Sequence, residues 1–296
     1  MKPYLLLLLC CFSLGLSAQT APEPVVQPEF TTENVKFNNA GVTLEGTIFK
    51  PSHPYAAIVL VHGSGQETRM IGTASLLAKN GITVLTYDKR GVGKSGGVYA
   101  GPEVGTNNID ASNLDLLASD ASAAANELLL HLPASHGPLG LMGFSQAGWI
   151  IPMAAKKNTK LNFMLIFSGA VVTTLEQLRF QFYTQGNSGF WDTHTEAEAR
   201  EHIKNDPDRY QFAATNPQEV LSTLRIPGLW LFGGRDIQVP VGLSIEHLNV
   251  LKAKGSRYDY QVFPALGHNT GYSKSQEPFN AAIQWVKAIA DAVKRK

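Results

Sequence analysis

Three side chains of the kinds needed for acyl transfer occur in the order serine, aspartate, histidine, each just past an apolar run. Ser145 stands in "LGLMGFSQAGWIIPMAA", residues 139–155, Asp236 in "GGRDIQVP" after Leu229–Phe232, and His268 in "FPALGHNTG" after Tyr258–Phe263. A serine hydroxyl is a poor nucleophile near neutral pH. It needs a base, an acid to orient that base, and N–H donors for the oxyanion. Around Ser145, Leu139–Phe144 reads as a buried strand and Gln146–Ala155 as a helix, with no Pro, Asn or Asp loop between them. The chain must then turn sharply at Ser145, with Gly143 and Ala147 relieving the crowding, as in a nucleophile elbow. Taken alone, the stretch suits a helix-capping serine equally well.

The other two residues add the weight. An aspartate in a loop is usually a cap, and a Gly-His pair is usually a surface turn. Here both fall at the ends of strand-like runs, where they would share a rim with Ser145. His268 would remove the Ser145 proton, and Asp236 would hold the imidazole tautomer and stabilise its charge. The oxyanion hole would take the backbone N–H of Gln146, next after the nucleophile. A second donor would come from "VHGSGQ", which follows Ala57–Val61: Ser64, with Gly65 as the alternative. His62 in that motif reads as a brace for the loop and not as a base.

The elements that must position these groups alternate along the chain. Strand-like runs fall near Val42–Phe49, Ala57–Val61, Ile82–Tyr87, Leu139–Phe144, Phe163–Phe167, Leu229–Phe232 and Tyr258–Phe263. Helical patterns fall near Met70–Lys79, Ala111–Leu132, Gln146–Lys157, Val241–Lys254 and Pro278–Val293. Such alternation predicts an α/β fold, a mainly parallel sheet with helices on both faces. The consecutive runs Val35–Phe37 and Val42–Phe49 predict an antiparallel edge. From about 171 to 224 the rhythm breaks, and a helical cap insertion is expected over the C-terminal edge of the sheet, where such sheets bind ligands. Its aromatic residues include Phe180, Phe182, Tyr183, Phe190, Trp191 and Tyr210. Phe180, Tyr183 and Trp191 are the candidates for binding substrate, although about half of these rings would serve only to hold the insertion together.

"DKRGVGKSGG", residues 88–97, carries glycine motifs that mislead. Gly91, Gly93 and Gly96 satisfy G-x-G-x-x-G, but a dinucleotide fingerprint must open directly into a helix. "GVYAGPEVG" cannot begin one. A phosphate-cradling loop would need glycine where Asp88 stands. Gly93 to Gly97 also satisfies G-x-S-x-G, again without the strand-to-helix context, so Ser95 reads as structural.

Bulk properties narrow the classes further. With 296 residues and 44% hydrophobic content, one large domain with a sizeable core is expected. Lys plus Arg is 25 against Asp plus Glu 24, a balance without the electrostatic footprint of a nucleic-acid binder. Lys2, the apolar stretch Leu5 to Leu16 and Leu16-Ser17-Ala18 read as an export signal over residues 1–18, too short for a membrane anchor. The protein is then expected to be periplasmic or secreted, without stable insertion in a membrane. Residues 19–30, Pro-rich, read as a flexible lead-in. Both cysteines, Cys10 and Cys11, lie inside the signal, so the processed chain would have no disulfide or thiolate site. Lipid attachment at one of them is the alternative, disfavoured by the leucine before Cys10. His194, Glu198 and His202 could share a helix face, but a solvated cap helix explains them without a metal.

"VHGSGQ", "YDKRGVGKSGG", "GFSQAG", "LFGGRDIQVP" and "GHN" together resemble the successive motifs of the α/β-hydrolase superfamily. In particular they resemble exported bacterial serine hydrolases near the prolyl-oligopeptidase-like and dienelactone-hydrolase-like groups. The resemblance spans roughly residues 35–295. It implies an eight-stranded-type sheet, Ser145, Asp236 and His268 as a catalytic triad, and Asp88 and Arg90 as structural braces beside the site. One departure is Ala147, where glycine is usual. No cofactor or metal is required by such a mechanism. The expected activity is hydrolysis of small or medium acyl esters, with a small-molecule ester as the binding partner. A peptidase whose cap carboxylates, such as Glu176 or Glu201, hold a substrate amine is the alternative, and a non-catalytic binding protein is a third possibility.

Overall fold

The strands Ala56–Val61 (β3), Ile82–Tyr87 (β4), Leu139–Phe144 (β5), Phe163–Phe167 (β6) and Gly228–Gly233 (β7) are buried at every position. Short apolar runs of this kind have no solvent face to offer, and a parallel sheet covered on both sides satisfies them. The computed structural model, which describes residues 29–101, 108–207 and 213–295, shows that arrangement. With Phe30–Asn39 (β1), Val42–Pro51 (β2) and Tyr258–Phe263 (β8) they form one eight-stranded sheet in the order β1-β2-β4-β3-β5-β6-β7-β8. Strands β4, β3, β5, β6, β7 and β8 are parallel, while β1 pairs with β2, and β2 with β4, antiparallel. The edge hairpin turns at Ala40 and Gly41, both at positive φ (48° and 72°), which suits the twist of the two strands.

Period-two alternation sorts the strand residues between two cores. Ala57, Val59, Val61, Leu139, Leu141, Trp230 and Phe232 face one cluster, completed by the helices Ala111–Leu130 (α2), Ala147–Lys157 (α3) and Val241–Ala253 (α8). Ile58, Leu60, Met142, Phe144, Leu229 and Leu231 face the other, completed by Ile71–Lys79 (α1) and Glu277–Lys294 (α9). The expected α/β fold, antiparallel edge and helix positions are all present. Phe30, placed by sequence in the lead-in, belongs to β1, where its ring packs 5.5 Å from that of Phe49. The expected export signal with Cys10 and Cys11, and the rest of the expected lead-in to residue 28, lie outside the described residues.

Between β6 and β7 come the short helices Thr174–Thr184 (α4), Phe190–Thr193 (α5), Glu196–Asn205 (α6) and Pro217–Leu221 (α7). Both α4 and α6 start with reciprocal capping boxes, Thr173 with Glu176 and Thr195 with Glu198, which satisfy N-terminal amides that would otherwise lack partners. Phe180, Phe190, Ala199 and Ile203 form a small core of their own. The ends of the segment behave differently: Val171, Val172 and Leu221 are part of the main core, and Tyr258 donates to the Leu221 carbonyl at 2.7 Å. Tyr210 lies outside the described residues. Among the described residues no helix is long and apolar enough to cross a membrane.

Candidate active site

Strand β5 delivers Ser145 to the C-terminal edge of the sheet, and α3 begins two residues later. Ser145 itself makes the turn, with φ at 53° in the left-handed region. Its N–H donates to the Phe167 carbonyl at 2.9 Å, so the turn is tied to the neighbouring strand. Gly143 makes the close approach possible. A Cβ there would sit 2.5 Å from the Ala147 Cβ and 2.7 Å from the Val61 carbonyl oxygen. The methyl of Ala147 is therefore accommodated because residue 143 lacks one.

Asp236 leaves the end of β7 and is almost wholly buried, with 1% of its surface exposed. One carboxylate oxygen accepts the Gln238 and Val239 N–H groups at 2.7 and 2.9 Å, and the other meets His268 Nδ1 at 2.8 Å. An acceptor at Nδ1 requires the proton on that nitrogen. Nε2 is then left as an acceptor, and it lies 2.9 Å from Ser145 Oγ. This arrangement can draw a proton from the hydroxyl and hold the resulting imidazolium against a carboxylate.

The cap grips the aspartate loop at three consecutive residues. Arg235 pairs with Asp192, the Trp191 indole N–H donates to the Asp236 carbonyl at 2.7 Å, and the Thr184 hydroxyl donates to the Ile237 carbonyl at 2.7 Å. Trp191 thus meets the loop through its backbone. Phe180 is fully buried in the cap core, and Tyr183 stacks on His202 with ring centroids 4.0 Å apart. None of Phe180, Tyr183 and Trp191 lines the cavity at Ser145, where they were expected. That cavity, of about 190 Å³, takes its aromatic walls from Phe144, Phe167 and Tyr272 instead. The first two are the last residues of β5 and β6, a position next to the catalytic rim that sequence alone could have flagged. Tyr272 follows His268 closely in a short 3-10 turn, Thr270–Tyr272.

Ser64 lines the cavity and Gly65 does not. Among the described residues the N–H groups of Ser64, Gly65 and Gln146 have no acceptor, so the expected donors are uncommitted. Glu67, absent from the expectations, also lines the cavity and accepts the Gly63 N–H at 3.0 Å. Burial raises its pKa, while that hydrogen bond and the nearby Lys89 charge pull the other way.

The bracing residues sit where the motifs placed them. His62 is buried and bonded through Nε2 to the Tyr87 carbonyl at 2.7 Å, and burial lowers its pKa to about 3, so it is a neutral donor. Ser95 is buried, donating to the Asp88 carbonyl at 2.6 Å and accepting the Glu45 N–H at 3.0 Å. Asp88 accepts the N–H groups of Arg69 and Lys94, and Arg90 forms a buried pair with Asp120 of α2, its Nε 2.8 Å from the carboxylate. In the cap, His194 stacks on Phe190. Among the described residues no group of three or more His, Cys, Asp and Glu could hold a metal.

A family model described as serine aminopeptidase, S33, matches residues 52–192. The match includes Ser64 and Ser145 and ends before Asp236 and His268. No curated protein matches. Among solved structures, the chain is similar to an acylaminoacyl peptidase of Pyrococcus horikoshii, with 18% identity and a TM-score of 0.61. That similarity covers 91% of this chain but 42% of the peptidase, so the chain spans well under half of that protein's length. It is also similar to the esterase Pf2001 of Pyrococcus furiosus (18% identity, TM-score 0.62, covering 90% of this chain and 91% of the esterase). A third neighbour is DcsB, solved with a substrate analogue (15% identity, TM-score 0.62, covering 88% and 99%). At such identities the neighbours speak for the fold alone: the chain has the α/β-hydrolase fold, and the family match covers a little under half of it.

Proposed function

We propose that the protein is a serine hydrolase that cleaves small or medium acyl esters through an acyl-enzyme on Ser145. The observation that carries this is the continuous hydrogen-bonded chain from Ser145 Oγ through His268 to Asp236, at 2.9 and 2.8 Å. His268 takes the serine proton as Oγ attacks the ester carbonyl. The Ser64 and Gln146 amides hold the oxyanion, and His268 returns the proton to the leaving alkoxide. Water then repeats the sequence on the acyl-enzyme.

The choice of esters rests on how the substrate can be gripped. An amine leaving group must be protonated in a set orientation, and peptidases gain that orientation by binding the chain at several points. The cavity of about 190 Å³ is small, with three aromatic walls. One observation favours the peptidase reading: the Glu67 carboxylate lies in this cavity and could receive a substrate ammonium. The cap carboxylates do so less well, since Glu176 closes a capping box and Glu201 is bonded to Asn205.

The test compares p-nitrophenyl acetate and butyrate with aminoacyl p-nitroanilides on one preparation, alongside fluorophosphonate labelling. Higher kcat/KM for the esters and labelling at Ser145 are expected. Equal or higher values for the anilides would move the assignment to a peptidase, and an unlabelled, inactive protein would leave the binding-protein reading. Export to the periplasm or beyond is part of the proposal, supported by the pattern of Lys2, Leu5 to Leu16 and Leu16-Ser17-Ala18. Mass spectrometry of the exported form should find an N-terminus near Gln19. A lipid on Cys10 or Cys11 there would make it a tethered lipoprotein.

A further inference from the structure

Lys89 is a charged residue with 2% of its surface exposed, and it lies directly beneath the loop that carries Ser64. Its Nζ is 2.6 Å from the Gly63 carbonyl oxygen, 3.3 Å from that of Gly65 and 3.3 Å from Gln146 Oε1. Three acceptors around one nitrogen call for three N–H donors, which only the ammonium form supplies. The ring of Tyr99, 5.4 Å away, covers the cation.

Two of these contacts, those to Gly63 and Gln146, bear on an oxyanion donor. The Gly63 carbonyl and the Ser64 N–H belong to one peptide unit, and no peptide bond among the described residues is cis. In a trans peptide the two groups point in opposite directions. Pinning the carbonyl on Lys89 therefore turns the Ser64 N–H away from the lysine, and Ser64 borders the cavity at Ser145. A hydrogen bond from a cation to the carbonyl also polarises the unit and strengthens its N–H as a donor. The opposite side of Gly63 is held as well, its N–H by Glu67 Oε2 at 3.0 Å. The third contact reaches Gln146, whose backbone N–H is the other donor. The Gln146 side chain is fixed at both ends, by Lys89 at Oε1 and by the Asn108 carbonyl, 2.7 Å from Nε2.

We infer that Lys89 is a positioning residue for the oxyanion hole, in which one buried ammonium orients the Ser64 peptide, polarises it, and locks it to the first residue after the nucleophile. The inference rests on the hydrolase reading above. Its effect belongs to the transition state, because a ground-state carbonyl gains much less from a polarised donor than an oxyanion does.

Steady-state kinetics of the full chain on p-nitrophenyl butyrate, with Lys89→Met and Lys89→Gln, test this alongside inhibition by an alkyl trifluoromethyl ketone. Removing one oxyanion donor typically costs on the order of 10²–10³ in kcat. The expected losses in kcat are about 100-fold for the methionine variant and about 10-fold for the glutamine variant, with KM within about threefold. The inhibition constant of the ketone, whose adduct with Ser145 is tetrahedral, should rise by the factor that kcat/KM falls. If Lys89→Met does not fold, Lys89→Gln, which keeps one amide donor to Gly63, carries the comparison. Variants within about threefold of the parent in kcat would overturn the inference. So would a fall in kcat with an unchanged ketone constant, which is the signature of a merely structural brace. Fluorophosphonate labelling of the parent reports on the hydrolase reading separately. A labelled, active parent with equally active Lys89 variants defeats only the role of Lys89.

Discussion

Ser145 occupies a backbone region that costs a non-glycine residue on the order of 1–2 kcal/mol, and the hydroxyl needs that posture to meet His268 Nε2. Ser145→Ala and Ser145→Gly should both abolish turnover. The glycine variant should be the more stable of the two by about 1 kcal/mol, because glycine adopts positive φ without a Cβ clash. Denaturant melts of the pair measure this, and equal stabilities would mean that the turn is unstrained. Ser95→Ala should keep most activity while losing about 1–2 kcal/mol, since its buried hydroxyl serves two backbone groups. His62 sets a pH dependence of a different kind. Its pKa is about 3 in the fold against an ordinary value of 6.5, so between those values the unfolded chain binds a proton that the native chain refuses. Stability should then fall as pH drops below about 6.5, by as much as ~1.4 kcal/mol per pH unit from this residue alone. His62→Asn should show a shallower decline in melting temperature between pH 6 and 4, and an unchanged slope would discount the buried imidazole. At this scale Ser145, Asp236 and His268 were legible in the sequence because Ser145 directly follows an apolar run and the other two stand in the short loops that leave later ones. Lys89 was not, because the motif marks only its neighbours Asp88 and Arg90 as braces, and its own partners appear when the loops after β3 and β4 are brought together.

The elements were legible wherever periodicity spoke for them. Two faces of one sheet emerge from alternate residues of the same strand, and the helix spans agree to within about two residues. Boundaries with no change of period were harder. Phe30 looked like the tail of a Pro-rich lead-in, and only its pairing with Pro51 makes it strand. The insertion between β6 and β7 looked uniform, yet α7 packs with the main domain while α4, α5 and α6 keep their own core. The loop after β4 is joined to α2 by the buried pair Arg90–Asp120, and the same carboxylate accepts the Asn39 side chain of the edge hairpin at 2.6 Å. Removing one member of a buried pair leaves the other uncompensated. Asp120→Ala should cost about 3–5 kcal/mol, seen as a lower denaturation midpoint. A loss under about 1 kcal/mol would show that Arg90 finds solvent instead.

At the scale of the whole molecule, composition says that the insertion is rich in aromatic residues but not which surface they face. Phe180, Tyr183 and Trp191 all pack against Phe190 within the insertion, whereas the rings at Ser145 come from strand ends and from the histidine loop. The grip of the cap on Arg235, Asp236 and Ile237 gives that small cluster a second consequence. Among the described residues its core has four buried side chains, slight beside the two large clusters under the sheet, so it should yield first to heat or mild denaturant. Once it loosens, the anchors on the aspartate loop go with it. Inactivation should therefore run ahead of the collapse of secondary structure, with hydrolase activity vanishing several degrees below the midpoint seen by circular dichroism. The same early opening would expose the cap segment to limited proteolysis, and a nicked protein would keep its sheet while losing its catalytic alignment.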